Sequence, residues 1–449
     1  MTILHYFLGF PPFRTGGLTQ YCMDLMQQQK EDGNDVIALW PGRMKLLSTK
    51  VKIKRGEDNL GIKNYEIINP HPVPYDEGII KIDKFVEACD AEVYYDYLTT
   101  ISPDVIHVHT LMGIHKEFFE KARDLNIRII YTTHDYFGIC PKVDFFYQNN
   151  ICYNRFNCED CFDCNKEALP LWKLYILQSK IYMKLKDSKF MSTLRKKHRN
   201  REKSEYNIAR EISTKGKSVD YKDLREYYVS ILSMIQVIHC NSSVSKQLYE
   251  PFTRDQKKVV IPITHRHIMD RRNESSYCFN KTEKIRLAYM SPINQKKGFY
   301  ILKQALDNLW NSGMHGFELQ LFSEVSELSP YMKILKNGYK LEELDQIYNN
   351  IDLLCAPSLW PETFGFVVLE ALNHAVPVLI TDRVGAKDIV GNAGIILDSH
   401  KNIINQIEND IKELTSNKLM QLSQNTRECK FITWEELVGE TYELYCKEK

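Results

Sequence analysis

LLCAPSLWPETFGFVVLEALNHAVPVLITD, residues 353–382, reads in order as strand, loop, helix and strand. LLCAPS and PVLITD are apolar along their whole length rather than alternating, which suits a parallel sheet covered on both faces. Between them, SLWP makes a short loop, and the spacing predicts a helix starting near Phe364. Such a helix turns its first free backbone N–H groups toward whatever lies beyond the strand end, a ready site for an anion such as a diphosphate. Gly365 lets the backbone approach that ligand closely. Glu362 then stands in the loop, and Glu370 about two turns further in, within reach of hydroxyl groups. Taken alone, the two glutamates read equally as a charge near a helix dipole and a solvated face.

The same grammar continues outward. IRLAYMS (285–291), FELQLFS (317–323) and GIILD (394–398) are further strands of this half, with helical patterns between them. The first half repeats it with ILHYFLGF (3–10), DVIALW (35–40), DVIHVHT (104–110), IRIIYTTHD (127–135) and IQVIHCNSS (235–243). Strands alternating with helices predict an α/β protein of two Rossmann-like units, with ligands beyond the carboxyl ends of the strands. Polar residues 266–283 mark the boundary. The expected units are 1–270, 280–430 and a closing amphipathic helix within 431–449.

The chain has 449 residues, 43% hydrophobic and 26% charged, which fits a large globular protein. A net charge of +1 argues against a dedicated nucleic-acid binder. Met1–Phe10 read as a strand rather than a signal peptide, and no run reaches the roughly 18 apolar residues of a membrane span. Twelve scattered cysteines suggest reduced thiols and a cytoplasmic setting. Five of them crowd together: Cys140, Cys152, Cys158, Cys161 and Cys164. A structural zinc held by four of these five is expected, against disulfides, free thiols or an iron–sulfur cluster. Residues 166–217 hold fifteen Lys or Arg against five Asp or Glu. Their mixture of aromatic residues and lysines fits a helix lying on an anionic membrane surface, or a solvated insertion.

Residues 337–397, with the PSLWPE loop, the Phe364-Gly365 step and both glutamates in order, resemble the large retaining glycosyltransferase family 4. That resemblance implies a GT-B fold, two Rossmann-like domains whose parallel sheets face across a cleft. It implies a hexosyltransferase that moves a sugar from a UDP- or GDP-type donor to an acceptor. It further implies that Glu362 contacts the transferred sugar and Glu370 the ribose, with Thr363, Phe364, Gly365 and Phe366 around the donor. YMSPINQKKG (289–298) resembles the family's diphosphate-binding loop, with Lys297 at the lysine position and Ser291 or Pro292 where an arginine is usual. Gly16 and Gly17 resemble its diglycine loop, and His134 of TTHD its histidine beside the donor sugar. Some members carry a similar cysteine group after that histidine, a resemblance that implies Cys140, Cys152, Cys161 and Cys164 as the zinc set, with Cys158 the one least required. Anomeric retention and metal independence follow from the family, with lysine and helix dipole standing in for a cation and no cofactor in catalysis. Cell-surface polysaccharide synthesis on the inner face of the membrane, with a lipid-linked acceptor, is the setting it suggests. A catalytically silent binding subunit and a nucleotide-sugar epimerase remain as alternatives.

Overall fold

The computed structural model describes residues 1–449 apart from 46–47, 75–77, 153–156, 180–181, 183–217, 274–283 and 447–449. Most of the basic stretch 166–217 therefore lies outside the described residues.

The strands are β1 (Thr2–Tyr6), β2 (Asp35–Pro41), β3 (Lys52–Arg55), β4 (Lys63–Ile68), β5 (Val105–Val108), β6 (Arg128–Thr132), β7 (Phe146–Tyr147), β8 (Asn150–Ile151), β9 (Val237–Cys240), β10 (Lys257–Val260), β11 (Ile285–Tyr289), β12 (Phe317–Leu321), β13 (Met332–Ile334), β14 (Leu353–Ala356), β15 (Val378–Thr381) and β16 (Gly394–Leu397). All ten apolar runs read from the sequence are strands. The first sheet has the order β10-β9-β6-β5-β1-β2-β4-β3, parallel except for the antiparallel edge strand β3. The second, β13-β12-β11-β14-β15-β16, is parallel throughout. Near-complete burial of the central strands explains their unbroken apolar runs. The register brings polar side chains together inside the first sheet: β1 sets His5 opposite His107 of β5, and β6 sets Thr132 opposite His239 of β9.

The carboxyl-terminal helix Trp434–Tyr445 is capped by a Thr433–Glu436 box and returns to the first sheet. There Gln29 Nε2 donates to Tyr445 Oη at 2.9 Å, and Arg128 Nε to the Leu444 carbonyl at 2.9 Å. One continuous apolar cluster joins Ile3, Tyr21 and Leu25 to Phe364, Val368, Trp434 and Leu437, so the two sheets are bound through their helices. No helix among the described residues is long and apolar enough to cross a membrane.

Candidate active site

Two loops from the second sheet meet above its strand ends. The loop after β11 carries Lys296 and Lys297, and the loop after β14 carries Trp360 and Glu362. The Lys296 carbonyl accepts hydrogen bonds from the backbone N–H groups of Leu359 and Trp360, at 2.8 and 3.3 Å, fastening one loop to the other. Close approach demands Gly298, with φ +79°, because a Cβ there collides with the Pro357 carbonyl oxygen. In consequence Lys297 Nζ lies 2.9 Å from Glu362 Oε1 and 5.1 Å from the centre of the Trp360 ring.

The helix after this loop spans Phe366–Asn373, starting two residues later than the sequence spacing predicts. The reason is Gly365, whose φ of +110° is closed to a helical residue and makes it the cap. Glu362 is held on the loop by Glu362 N–H to Arg383 carbonyl and Gly385 N–H to Glu362 carbonyl bonds, 3.0 and 3.1 Å. Glu370 sits inside the helix and is buried; Tyr348 Oη donates to its Oε2 at 3.1 Å. Burial pushes this carboxyl up to about 7, with the tyrosine bond opposing the shift. The two glutamates thus differ in character: one paired with a cation at the cleft, one shielded behind it.

Across the cleft the first sheet meets this loop directly. Thr363 Oγ1 donates to the His134 carbonyl at 3.2 Å, and Ser242 Oγ to the Thr363 carbonyl at 2.7 Å. Phe366 packs on the diglycine loop: a Cβ at Gly17 would lie 3.2 Å from its ring, and Gly16, with φ +118°, caps the helix Gly17–Glu31. His134, Gly16, Gly17, Glu362, Lys297, Thr363, Phe364, Gly365 and Phe366 therefore belong to one neighbourhood, with Glu370 one helix turn behind.

Several partners there were invisible in the sequence. Lys296 spans the cleft to Asp144 at 3.2 Å, and its Nζ lies 5.8 Å from the centre of the same Trp360 ring that Lys297 meets at 5.1 Å. Arg383 Nη2 reaches Asn150 Oδ1 at 2.6 Å. Asn241, next to Ser242, is buried with no hydrogen-bond partner for either side-chain amide atom among the described residues. Only a strand-end NSS signalled it. Such orphaned groups are costly and mark places where a ligand can supply the missing bonds.

The clustered cysteines lie beside this site. Cys140, Cys158 and Cys161 are buried, Cys152 and Cys164 half-buried, and all carry free thiols. Cys161 N–H donates to the Cys158 carbonyl at 3.0 Å, and the Cys161 sulfur lies 3.9 Å from Arg225 Nη2. Among the described residues the trios with metal-ligand atoms within 4.8 Å of one another are His5–His107–His109 and Cys22–His109–His134, outside this cluster.

Residues 271–429 match the family described as Glycosyl transferases group 1. An uncharacterized 42.6 kDa protein in the cps region of Klebsiella pneumoniae is 23% identical over 299 residues, 66% of this chain; the chain spans 61% of that relative's length. Sucrose-phosphate synthase from Thermosynechococcus elongatus superposes with a TM-score of 0.56 at 13% identity, covering 99% of this chain and 98% of that one. The catalytic domain of starch synthase IV from Arabidopsis thaliana, bound to ADP and acarbose, gives 0.54 at 12%, with coverage of 99% and 98%. An α,α-trehalose-phosphate synthase (UDP-forming) from Burkholderia xenovorans, in complex with glucose-6-phosphate, gives 0.55 at 10%, with 99% of each chain covered. At these identities the likeness is one of fold. Residues 271–429 thus match a glycosyl transferases group 1 domain, and the chain as a whole has the GT-B fold of two parallel-sheet Rossmann-like units.

Proposed function

We propose that this protein is a retaining hexosyltransferase of the family 4 kind, moving a sugar from a nucleoside diphosphate to an acceptor hydroxyl without a metal in catalysis. The observation that carries the reading is the Lys297–Glu362 pair at the mouth of the helix Phe366–Asn373. The first-turn N–H groups of that helix and Lys297 form a cationic seat for a diphosphate, and Glu362, released from the lysine, faces the sugar. The bond between the anomeric carbon and the diphosphate oxygen breaks as positive charge develops on the sugar. The acceptor oxygen bonds to that carbon on the same face, and its proton passes to the departing diphosphate oxygen. No carboxylate base is then required. Glu370, with a pKa near 7, is suited to exchanging its Tyr348 bond for ribose hydroxyls.

Of the similar structures, one is bound to ADP and another is UDP-forming, which fits a nucleoside diphosphate and leaves the base open. The cps-region relative supports a surface-polysaccharide setting; the cytoplasmic face of a membrane and a lipid-linked acceptor complete the proposal. Incubation with a panel of nucleotide sugars, with and without a chelator, tests the reading. Release of nucleoside diphosphate with the chelator present is expected. A silent subunit, favoured by Ser291 and Pro292 in place of the loop arginine, gives no release, and an epimerase gives a new isomer without acceptor.

A further inference from the structure

Behind the cleft runs an unbroken line of buried polar side chains. His239 Nε2 lies 2.8 Å from the Ile261 carbonyl oxygen, and His239 Nδ1 lies 3.0 Å from Thr132 Oγ1. Thr132 Oγ1 lies 2.7 Å from His107 Nε2, and His107 Nδ1 lies 2.7 Å from Tyr445 Oη. Tyr445 Oη meets Gln29 Nε2 at 2.9 Å, and Gln29 Oε1 meets His5 Nε2 at 2.7 Å. His5 Nδ1 then meets His109 Nε2 at 3.0 Å, and His109 Nδ1 meets His134 Nε2 at 3.3 Å. His134 is the member that reaches the cleft, through its carbonyl bond from Thr363.

Burial pushes His5 and His239 down to about 4, His134 to about 3, and His107 and His109 well below 6.5. All five are neutral at pH 7, so each has one ring N–H and one bare nitrogen. The Ile261 carbonyl can only accept, so the His239 proton is on Nε2. Thr132 must then donate to His239 Nδ1 and accept from His107 Nε2–H. His107 Nδ1 is bare and takes the Tyr445 hydroxyl proton, so Tyr445 accepts from the Gln29 amide. The Gln29 oxygen faces His5 Nε2–H, His5 Nδ1 accepts from His109 Nε2–H, and His109 Nδ1 accepts from His134 Nε2–H. The reverse order flips Gln29 and ends with a His239 lone pair against the Ile261 carbonyl oxygen at 2.8 Å, a buried repulsion. All six ring nitrogens of His5, His107 and His109 are occupied in this chain, so their proximity is explained without a metal.

We infer that the Ile261 carbonyl, acting through this one-way chain, fixes His134 as its Nε2–H tautomer, leaving Nδ1 as an acceptor for a hydroxyl of the donor sugar. Nδ1 has no hydrogen-bond partner among the described residues. A bare nitrogen accepts an O–H or N–H proton and repels a carboxylate or phosphate oxygen, so the group recognised here is a hydrogen-bond donor, which on a donor sugar is a hydroxyl. Tyr445, on the returning helix, is a positioning residue that couples that helix to the site. The inference deepens the transferase reading and rests on it only for the identity of the hydroxyl's owner.

The test is two-bond ¹⁵N–¹H correlation NMR on the full chain labelled in histidine, without any sugar, with His134 assigned from its loss in His134→Gln. Wild type should show His134 protonated at Nε2 and bare at Nδ1 at pH 7.5; an Nδ1–H form or an imidazolium overturns the inference. Tyr445→Phe keeps the ring in the core and cuts the chain, so the Nδ1–H form of His134 should appear; an unchanged pattern overturns the relay. The tautomer is read without turnover. An Nε2–H His134 in a protein that releases no nucleotide therefore keeps the relay and removes only the transferase reading.

Discussion

Lys297 Nζ and Glu362 Oε1, sixty-five positions apart in the chain, lie 2.9 Å from each other across two loops of the second sheet. Each neutralises the other where a charged donor is expected to sit, so donor binding exchanges an internal ion pair for two substrate contacts. Glu362→Gln keeps the shape and removes the charge. Turnover should fall about 100-fold or more, the scale of a lost group that meets developing charge. The melting temperature should stay within about 3 °C, because the site lies at the edge of the core. Near wild-type turnover rules out a role at the reacting sugar.

Lys297→Ala should act on binding as well as rate. Loss of one charge-assisted contact to a diphosphate costs about 1.5–3 kcal/mol, or roughly 10- to 100-fold in affinity. Calorimetry with nucleoside diphosphates reads this directly. The same affinity as wild type for every diphosphate tried removes Lys297 from the seat.

What could be read beforehand depended on whether the cause was local. The central strands announced themselves because both faces are buried. KIKR and KNYEII, which became β3 and β4, did not: β3 is an exposed edge that tolerates lysines, and β4 beside it is only half-buried over most of its length, so neither makes an apolar run. The PETFG helix start was legible to within two residues, since Gly365 marks it. Nothing local predicts that Lys296 pairs with Asp144, or that histidines on three strands and two strand-end loops join into a single chain. Those relations come from contacts between segments up to 416 positions apart.

Stability should fall steeply in acid. His5, His71 and His239 are held near 4, His134 near 3, and His107, His109 and His115 well below 6.5, in each case by burial first. Their contribution is full above the unfolded value of about 6.5 and is lost as pH falls toward the folded values. Glu370, near 7, and Asp135, near 6, work the other way, favouring the fold as pH drops toward their unfolded values. Seven histidines outnumber two carboxyls, so at pH 5.5 unfolding takes up protons on balance. Calorimetric melting at pH 7.5 and 5.5 should show a clearly lower transition at 5.5. An equal or higher one contradicts neutral burial of the histidines.

The helix Leu171–Leu177 leads into the basic stretch and exposes Trp172 and Ile176, at 60% and 50%. At spacing i, i+4 they share a face. Apolar side chains beside an excess of ten positive charges suit the interface of an anionic bilayer. Liposome flotation at low salt should show binding to vesicles with phosphatidylserine and none to phosphatidylcholine alone. Trp172→Ser should weaken it. Equal recovery with both vesicles rejects a membrane role.

The cysteine cluster offers the last test. Cys140, Cys158 and Cys161 are buried in one apolar cluster, where Phe145 N–H donates to Cys140 Sγ at 3.4 Å and Cys161 N–H to the Cys158 carbonyl at 3.0 Å. Burial raises the Cys140 thiol to about 11 and the Cys164 thiol to about 12, which leaves both protonated without a metal. Zinc binding would drive those protons off and draw four sulfurs into one shell, pinning residues 140–164 beside Asp144 and Asn150, the two that touch Lys296 and Arg383. With no coordination position left open, the metal would steady the cleft wall and take no part in transfer. Cys158, the one the family pattern least requires, is buried in the same cluster as Cys161 and is tested beside it. Elemental analysis of protein purified without added metal should therefore find about one zinc per chain, falling in both Cys161→Ser and Cys158→Ser. Retention of zinc in Cys158→Ser alone returns the shell to Cys140, Cys152, Cys161 and Cys164. Metal-free protein whose five thiols all react under native conditions ends the zinc proposal and leaves a reduced, hydrogen-bonded cluster.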